Sequence, residues 1–355
     1  MHHARHHDPR RCILPPHILA QIAQNGSPKQ RKNAIDTLLT DHTIRTLRIT
    51  HLQQPFARAL PGYVRAIPKV HRTIYSARHE EVLPGTAVRA EGDKPVDDPA
   101  VNEAYDGLGT TFDFYFQVLH RDSIDDRGLP LDASVHYGRD YDNAYWDGER
   151  MVFGDGDGEI FNRFTISLDV IGHELTHGVT GAEANLRYMG QAGALNESMS
   201  DVFGSLIKQW HLQQPVDQAD WLIGEGLLAK GVQGVALRSM KDPGSAYDDP
   251  VLGKDPQPGH MRDYVHSVQD NGGVHINSGI PNHAFYLAAT AIGGLAWDAP
   301  GHIWYEALRD PHLRTNSGFT SFARRTIANA GELYGAGSVE QKAVREAWTA
   351  VGVRI

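Results

Sequence analysis

Two histidines and a glutamate stand in the pattern H-E-x-x-H, a spacing at which side chains of one helix can share a metal ion. His173 and His177 are four residues apart, so on an α-helix they lie one turn apart on the same face. Glu174 projects about 100° around the helix axis from His173, beside that face. Two imidazoles with an adjacent carboxylate suit Zn²⁺, whose Lewis acidity can lower the pKa of water to about 7. The pattern therefore predicts a catalytic zinc site in which Glu174 accepts a proton from water.

A catalytic zinc site needs a third protein ligand and keeps its fourth position open. Glu197 and Asp201 follow on the next helical pattern, four residues apart and therefore on one face. Glu197 is the candidate third ligand. Asp201 is placed to accept the free N–H of a ligand histidine and so to fix its tautomer. A simple amphipathic helix also shows such a pair, but the motif just upstream favours the ligand interpretation.

Composition and charge exclude several other classes of function. The net charge of −9 disfavours binding to nucleic acid or to an anionic membrane surface, and no apolar run of about 18 residues exists to span a membrane. We therefore expect neither as a partner. The first twelve residues lack the apolar core of a secretory signal peptide, so we expect either extracellular action after leaderless export or a cytoplasmic location. Cys12 is the single cysteine, which excludes an intramolecular disulfide.

The patterning divides the chain into four parts. These are a helical segment at 1–50, a linker at 51–68, a β-rich lobe with the zinc helix at 69–180 and a helical lobe at 181–355. Linker-like composition already begins near Thr43. We predict strands at 73–75, 82–83, 134–137, 144–146 and 150–153, a hairpin turn at 154–158, and helices at 101–120, 166–180, 193–211, 281–296, 300–310, 318–333 and 338–350.

Five short segments together resemble the thermolysin-like metallopeptidases, and they do so in order and spacing from about Pro68 to the C-terminus. They are H-E-L-T-H-G-V-T at 173–180, G-A-L-N-E-S-M-S-D at 193–201, N-A-Y-W at 143–146, L-R-S-M at 237–240 and D-N-G-G-V-H-I-N-S-G at 270–279. The resemblance implies an α+β, two-lobe fold with the zinc helix at the cleft between a β-rich and a helical lobe. It also implies a monomeric zinc endopeptidase that acts on polypeptides.

The resemblance assigns roles to the matching residues of the site. Glu174 would activate water and later protonate the leaving amine. His275 and Tyr188 would donate hydrogen bonds to the oxyanion, and Asp270 would orient His275. The residues that would bind substrate are Asn143 and Ala144 along the peptide backbone, Arg238 at a carbonyl, and the apolar pocket of Phe161, Phe164, Val170 and Leu237. This pocket implies cleavage on the N-terminal side of bulky hydrophobic residues.

The sequence departs from the family at the position where thermolysin-like enzymes hold two calcium ions. Asp169, Asp220 and Glu225 match carboxylates of that site, but Lys208 and Leu222 stand where acids would be. An ammonium group repels Ca²⁺ and can itself pair with the remaining carboxylates. We therefore predict no calcium at this position.

The N-terminal segment resembles the short prosegments of the protealysin group, because Leu14, Pro15 and Pro16 match the proline-proline motif that blocks the primed side of the cleft. A surface helical hairpin unrelated to the cleft is the alternative. Cys12 just before the motif could ligate the zinc of a latent enzyme. It could equally be a small apolar filler.

The leading hypothesis is thus a latent zinc endopeptidase that is activated when its own prosegment, about residues 1–50, is removed. Two alternatives stay open. A zinc aminopeptidase also uses H-E-x-x-H with a glutamate, and it would need acidic residues to bind a free amino terminus. A catalytically silent zinc-binding interaction protein would be expected to have lost the base, whereas Glu174, Tyr188 and His275 are all present.

Overall fold

The computed structural model describes residues 12–51 and 69–355, without the side chains of 43–51. Its N-terminal segment contains two helices, α1 (Pro16–Asn25) and α2 (Pro28–His51), which pack against each other. A proline stands at the start of each helix, where its missing N–H costs no hydrogen bond. Ile18, Leu19 and Ile22 of α1 are buried in the main core. The segment therefore lies against the body of the protein.

The N-terminal lobe is built on a five-stranded sheet in the order β2-β1-β3-β5-β4. Its strands are β1 (Arg72–Ser76), β2 (Thr86–Ala90), β3 (Leu131–Val135), β4 (Ala144–Trp146) and β5 (Arg150–Phe153). The central strands β1, β3 and β5 are parallel, and the edge strands β2 and β4 are antiparallel to their neighbours. Helix α3 (Pro99–Leu119), capped by Asp98, crosses the sheet.

Helix α4 (Leu168–Ala182) follows the sheet, and the C-terminal lobe after it is helical. Its helices are α5 (Gly190–Leu212), α6 (Asp270–Asn277), α7 (Gly279–Ile292), α8 (Ala299–Arg309), α9 (Phe319–Tyr334) and α10 (Val339–Ala350), with short strand pairs β6 (Leu222–Ile223), β7 (Arg238–Ser239), β8 (Asp248–Asp249) and β9 (Gly253–Lys254) between α5 and α6.

Two glycines let α4 and α5 approach closely. A Cβ at Gly172 would lie 2.7 Å from Ile207 Cδ1, and one at Gly204 would lie 2.4 Å from the Asp169 carbonyl oxygen. Both distances are shorter than a carbon tolerates, so the two backbones can touch only because these side chains are absent. This contact brings the H-E-x-x-H face of α4 against α5.

Most of the predicted strands and helices overlap the observed ones, but the strand predicted at 134–137 lies at Leu131–Val135, the helix predicted at 281–296 ends at Ile292, and β6 to β9 were not predicted. Four further differences follow. The linker predicted from Thr43 is wrong up to His51, because no glycine or proline interrupts α2 between 29 and 54. The remaining linker residues, 52–68, lie outside the described part of the chain. Residues 82–83 form no strand. They precede the cis bond Leu83–Pro84, and the strand lies later, at β2.

The other two differences involve glycine-rich stretches. Residues 154–158 are not a hairpin turn, because the chain after β5 forms a loop in which the Asp157 carboxylate accepts from the N–H groups of residues 159–161. The expected histidine loop is confirmed for residues 270–273, and regular helix begins only at Val274, within α6. Its residues 270–273 have left-handed φ angles between 50° and 89°, which glycine at 272 and 273 adopts without strain.

Candidate functional site

The structure brings the three predicted metal ligands together between α4 and α5. His173 Nε2 lies 3.5 Å from Glu197 Oε2, and His177 Nε2 lies 3.5 Å from Glu197 Oε1. All three side chains are buried, and their ligand atoms lie within 4.8 Å of one another. Within the described residues, His173 Nε2 and Glu197 Oε2 have no hydrogen-bond partner. Buried polar atoms that converge unsatisfied fit a cation, and the N₂O donor set fits Zn²⁺.

The opposite edge of each ligand imidazole is held by α5. His173 Nδ1 lies 2.8 Å from Asp201 Oδ1, as predicted, while His177 Nδ1 contacts Asn196 Oδ1 at 3.0 Å and Ser200 Oγ at 2.9 Å. These contacts orient both Nε2 atoms towards Glu197. Burial alone would lower the pKa of His173, but its carboxylate neighbours raise it to about 9 when no metal is bound.

Asp201 also bonds a buried arginine. Arg238 Nε donates to Asp201 Oδ2 at 2.9 Å, one Arg238 NH group donates to Oδ1 at 2.8 Å, and Asn282 donates to Oδ2 at 2.8 Å. Burial alone would raise the pKa of Asp201, but Arg238 and His173 lower it to about 2. The carboxylate therefore stays ionised and links the ligand His173 to the arginine of the cleft.

Glu174 lies beside the ligands. Its Oε2 accepts a hydrogen bond from the backbone N–H of Trp146 at 3.0 Å, which fixes the carboxylate against β4. Its Oε1 is buried and has no hydrogen-bond partner within the described residues. Burial raises the pKa of Glu174 to about 8. A bound cation nearby would lower that pKa, so Glu174 could work as a base near neutral pH.

Across the cleft, α6 supplies His275. Its Nδ1 lies 2.7 Å from Asp270 Oδ1, and its Nε2 lies 3.2 Å from the Tyr188 hydroxyl. The Tyr188 hydroxyl also donates to Glu197 Oε1. Because Asp270 accepts from Nδ1, Nε2 is left to face the cleft. The four residues that the sequence assigned to the chemistry thus lie on both sides of the cleft, around the candidate metal ligands.

Residues 12–14 pass through this cleft as an extended strand. The Ile13 N–H donates to the Ala144 carbonyl at 3.2 Å, and the Leu14 N–H donates to Asn143 Oδ1 at 3.1 Å. Cys12 pairs with Tyr145 in an antiparallel bridge. The segment therefore extends the sheet at its edge strand β4, in the way a bound peptide would.

The carbonyl groups of the same strand face the chemical groups of the site. The Cys12 carbonyl oxygen lies 3.1 Å from His275 Nε2, and Arg238 donates to the Ile13 carbonyl at 3.1 Å. The Cys12 carbonyl thus faces a group that the sequence assigned to the oxyanion, and the Ile13 carbonyl faces Arg238. These contacts contradict the alternative of a surface hairpin unrelated to the cleft.

Two further residues of the N-terminal segment form hydrogen bonds to the walls of the cleft, and the sequence had not singled them out. Asp41 of α2 accepts from Asn143 Nδ2 at 2.9 Å and from the Tyr141 hydroxyl at 2.6 Å, and so orients the amide that binds Leu14. His17 Nε2 lies 3.2 Å from the Tyr247 hydroxyl. Asp41 belongs to no short motif, and His17 directly follows the proline-proline motif but had no predicted role.

The proposed zinc ligation by Cys12 is not what the structure contains. The cysteine side chain packs with Ala77, Tyr137, Tyr141 and Tyr145 in a separate apolar cluster, and it is absent from the described groups that could hold a metal. Antiparallel pairing with Tyr145 directs only the Cys12 carbonyl towards His275. Cys12 is thus the small apolar filler of the alternative interpretation.

The two prolines have different conformations. Pro15 is extended, with ψ of 142°, and it precedes α1, whereas Pro16 is the first residue of that helix. Together they turn the chain from the cleft strand into α1. The residues predicted to form the apolar pocket are all fully buried and belong to one contiguous cluster with Ile13 and Leu14, namely Phe161, Phe164, Val170 and Leu237.

At the position where the sequence predicts no calcium, the structure contains a lysine-centred cluster. Lys208 Nζ lies 2.5 Å from Asp220 Oδ2, 3.1 Å from Glu225 Oε2 and 3.4 Å from Asp169 Oδ2. Burial alone would lower the pKa of Lys208, but these carboxylates raise it. Its ammonium group therefore stays charged and occupies the centre of the acidic cluster.

The chain is similar to known metallopeptidases over most of its length. Models of the thermolysin metallopeptidase catalytic domain and α-helical domain match residues 39–181 and 184–353. The chain is 51% identical over 343 residues to an extracellular metalloprotease of Pectobacterium carotovorum, covering 97% of this chain and 96% of the relative. It is 40% identical over 289 residues to a thermolysin of Alicyclobacillus acidocaldarius, covering 79% and 50%. A solved precursor of protealysin from Serratia proteamaculans has 53% identity and a TM-score of 0.87, covering 97% of this chain and all of the other.

Proposed function

Because the chain belongs to the thermolysin metallopeptidase family and is a metalloendopeptidase made as a precursor, we propose that His173, His177 and Glu197 hold its catalytic Zn²⁺. The observation that carries this proposal is the convergence of buried ligand atoms, two of which have no hydrogen-bond partner within the described residues. Leaving them unsatisfied would cost several kcal/mol, roughly 1–3 for each group. When bound, Zn²⁺ supplies a Lewis acid that polarises water and the substrate carbonyl.

In this proposal Glu174 moves the proton. Oε2 is held by the Trp146 N–H, so Oε1 is the oxygen that takes a proton from the attacking water. The same carboxyl group then donates that proton to the leaving amine. His275, oriented by Asp270, would donate from Nε2 in its imidazolium form, because burial alone would lower its pKa but Asp270 and Glu197 raise it. The Tyr188 hydroxyl, which donates to Glu197 Oε1 in the structure, would turn to the carbonyl oxygen, and both groups would stabilise the negative charge that develops there.

The test combines a zinc chelator with two readouts. Full-length protein is kept zinc-loaded or is stripped of metal, and the N-terminal mass and the cleavage of casein are followed over time. We expect casein cleavage only in the zinc-loaded protein, after the mass of residues 1–50 is lost. Cleavage that persists in the stripped protein would overturn the zinc assignment.

The proposed substrate preference rests on Ile13, which in this proposal occupies the position of the residue after the cleaved bond. Its N–H and carbonyl bind Ala144 and Arg238, and its side chain is fully buried in the cluster that contains the predicted pocket. We therefore propose that the residue after the cleaved bond is bulky and apolar. A peptide with leucine there should be cleaved about fiftyfold faster, in kcat/KM, than one with alanine, because three buried carbons are lost. Equal rates would contradict the assignment, and the same exchange outside this position serves as the control.

Latency is proposed to depend on the apolar anchors of the prosegment, which fills the cleft as substrate would. Leu14 is completely buried, so Leu14→Ala should weaken docking by about 2–5 kcal/mol. We expect casein cleavage to begin sooner than in the unaltered chain. Leu39→Ala, at a position that is 61% exposed on α2, is the matched control and should leave the lag unchanged. An unchanged lag in Leu14→Ala would refute the anchor role.

The remaining parts of the proposal concern calcium, cellular location and partners. The lysine-centred cluster supports the absence of calcium at that position. No described helix is long and apolar enough to cross a membrane. With relatives named extracellular metalloprotease, we propose extracellular action as a monomer, on polypeptides and not on nucleic acid or membranes. The aminopeptidase alternative is disfavoured. An aminopeptidase would have to bind the free amino terminus of its substrate on the unprimed side, and there Cys12, which is not a terminus, pairs with Tyr145.

A further inference from the structure

Three parallel strands of the N-terminal lobe end at one edge of the sheet, and each is followed by a side chain that can bind a metal. β1, β3 and β5 lie side by side, and His79, His136 and Asp155 come within three residues of their ends. His136 Nδ1 is 2.9 Å from both oxygens of Asp155, and His79 Nδ1 is 3.4 Å from Asp155 Oδ2. We call these three residues the strand-end cluster. Their ligand atoms lie within 4.8 Å of one another.

The backbone fixes the two imidazoles relative to each other. His79 and His136 both have left-handed φ angles, 63° and 54°, which are uncommon for residues other than glycine. The His79 N–H donates to the His136 carbonyl at 2.8 Å, and the Ala77 N–H donates to the Val135 carbonyl at 2.9 Å. The two strand ends are therefore joined directly, and the rings lie with their centroids 5.4 Å apart.

A fourth residue supports the cluster from behind. Asp98 Oδ2 lies 2.8 Å from His136 Nε2, while its other oxygen accepts from the Ala100 N–H at the start of α3. A carboxylate on the far nitrogen is the usual outer partner of a metal-bound histidine. The side chains of His79, His136 and Asp155 are 52%, 18% and 28% exposed, so an ion can enter and water can complete its coordination.

We propose that the strand-end cluster is a second metal site, separate from the catalytic one, for a divalent ion of the zinc class. Two imidazoles and one carboxylate favour Zn²⁺ over Ca²⁺ or Mg²⁺, which prefer oxygen ligands alone. An ion there would connect three strands and stabilise the N-terminal lobe. Two positive charges oppose the binding of such an ion. Asp155, the largest cause, and Asp98 raise the pKa of His136 to about 9, so a proton competes for Nδ1. Arg163 also lies nearby, although its guanidinium pairs with Glu103.

The test counts zinc in the full-length protein. Four histidines at positions 2, 3, 6 and 7 could also bind zinc, so every protein in the experiment carries serine at these positions. After metal removal, the proteins are dialysed against Zn²⁺ at pH 8 and analysed by mass spectrometry of the elements. We expect two equivalents in this parent chain and one in the variants His79→Asn and Asp155→Asn. Asparagine tolerates the left-handed backbone at 79, and at 155 it keeps the side-chain shape.

His312→Ala is the matched control, because His312 also lies beside a carboxylate, Asp310 at 2.9 Å, but belongs to no described group of three ligands. It should keep two equivalents. The second equivalent should raise the Tm of the parent chain and of this control, and not that of the two cluster variants. One equivalent in the parent chain, or two in both cluster variants, would overturn the proposal. Casein cleavage by the cluster variants after prosegment removal reports separately on the catalytic site.

Discussion

Helix α4 contributes to two charged clusters one turn apart, and their positive charge has different sources. Around Asp169, the ammonium group of Lys208 reaches three carboxylates. Around His173, the ligand atoms converge, and Arg238 bonds Asp201 behind the ligands. Without a metal, protonation of His173 supplies positive charge there, because burial alone would lower its pKa but its carboxylate neighbours raise it to about 9. Lys208 supplies a permanent cation in the first cluster, whereas the second is proposed to take Zn²⁺ from solution. A single lysine thus separates an internal ion pair from a metal site.

The largest expected effect concerns the cluster that needs an ion. Glu174→Gln removes the proton acceptor but keeps the shape of the side chain and leaves His173, His177 and Glu197 untouched. Because general base catalysis contributes about 10²–10⁴-fold, we expect kcat on casein-derived peptides to fall roughly a thousandfold. Zinc content, measured on the same samples, should not change.

Glu346→Gln, an exposed site on α10, is the control for this exchange and should be fully active. A Glu174→Gln protein whose activity stays within tenfold of the parent would show that another group moves the proton. Loss of zinc together with activity would show that Glu174 is needed for binding the ion and does not act only as the base.

The next effect would convert the balanced cluster into one that needs an ion. Lys208→Glu places a fourth carboxylate beside Asp169, whose side chain is only 2% exposed. Removing the partner of a buried charge costs about 3–5 kcal/mol, so the Tm measured in a calcium chelator should fall markedly. Millimolar Ca²⁺ should restore much of that loss, because oxygen ligands alone then surround the position.

The unaltered chain should show no such response to calcium, and neither should Lys32→Glu, which removes a surface ion pair with Asp36. A saturable rise of Tm with Ca²⁺ in the unaltered chain would mean that the lysine does not exclude calcium, and it would remove the basis of the comparison.

How far the sequence predicts the molecule depends on how local each feature is. Both helices that carry the proposed zinc ligands could be located because their apolar residues repeat at helical spacing, and the ligands, His173, His177 and Glu197, lie on consecutive helices. The interpretation of Leu14, Pro15 and Pro16 as a cleft-blocking motif needed a family resemblance, because three apolar residues carry no signal of their partner. The pairing of Asp41 with Asn143 joins residues 102 positions apart, and no periodicity connects them.

The strand-end cluster could not be predicted for the same reason. His79, His136 and Asp155 lie in turns that follow three different strands, and only the parallel pairing of β1, β3 and β5 brings them together. β2 was missed because Val82 and Leu83 are the more apolar pair, yet the chain there is irregular and the strand begins only at Thr86. In α6, the two glycines correctly suggested a loop at 270–273, where the φ angles are left-handed, and the Asp270 carboxylate accepts from the His275 N–H where the regular helix has begun.

A smaller effect is expected behind the ligands, where both clusters depend on fixed carboxylates. Asp201→Asn removes the charge that holds His173 Nδ1 and Arg238. Outer partners of this kind typically contribute 10–100-fold to metal affinity, so the dissociation constant for Zn²⁺ should rise within that range. Asn282→Ala removes a different bond to the same carboxylate and is the control, with an expected change of less than threefold. Equal losses in the two variants would indicate general loosening of the core.

The smallest effect concerns a group kept neutral beside the site. In the closed form, burial above all, with His275 and Arg238, lowers the pKa of His17 to about 4, although Asp270 acts in the other direction. Exposed histidine has a pKa near 6.5, so the opened form binds a proton as pH falls below that value, and closure is fully favoured only above it. Between pH 7.5 and 5.5 opening should become about tenfold more frequent.

Amide hydrogen exchange at Ile13 and Leu14, in a Glu174→Gln background that prevents self-cleavage, measures this directly. His17→Gln should remove the change and His42→Gln should not. If His17→Gln keeps it, the titrating group is another one facing this position, such as Asp270 or His275, and His17 only fills space beneath α1.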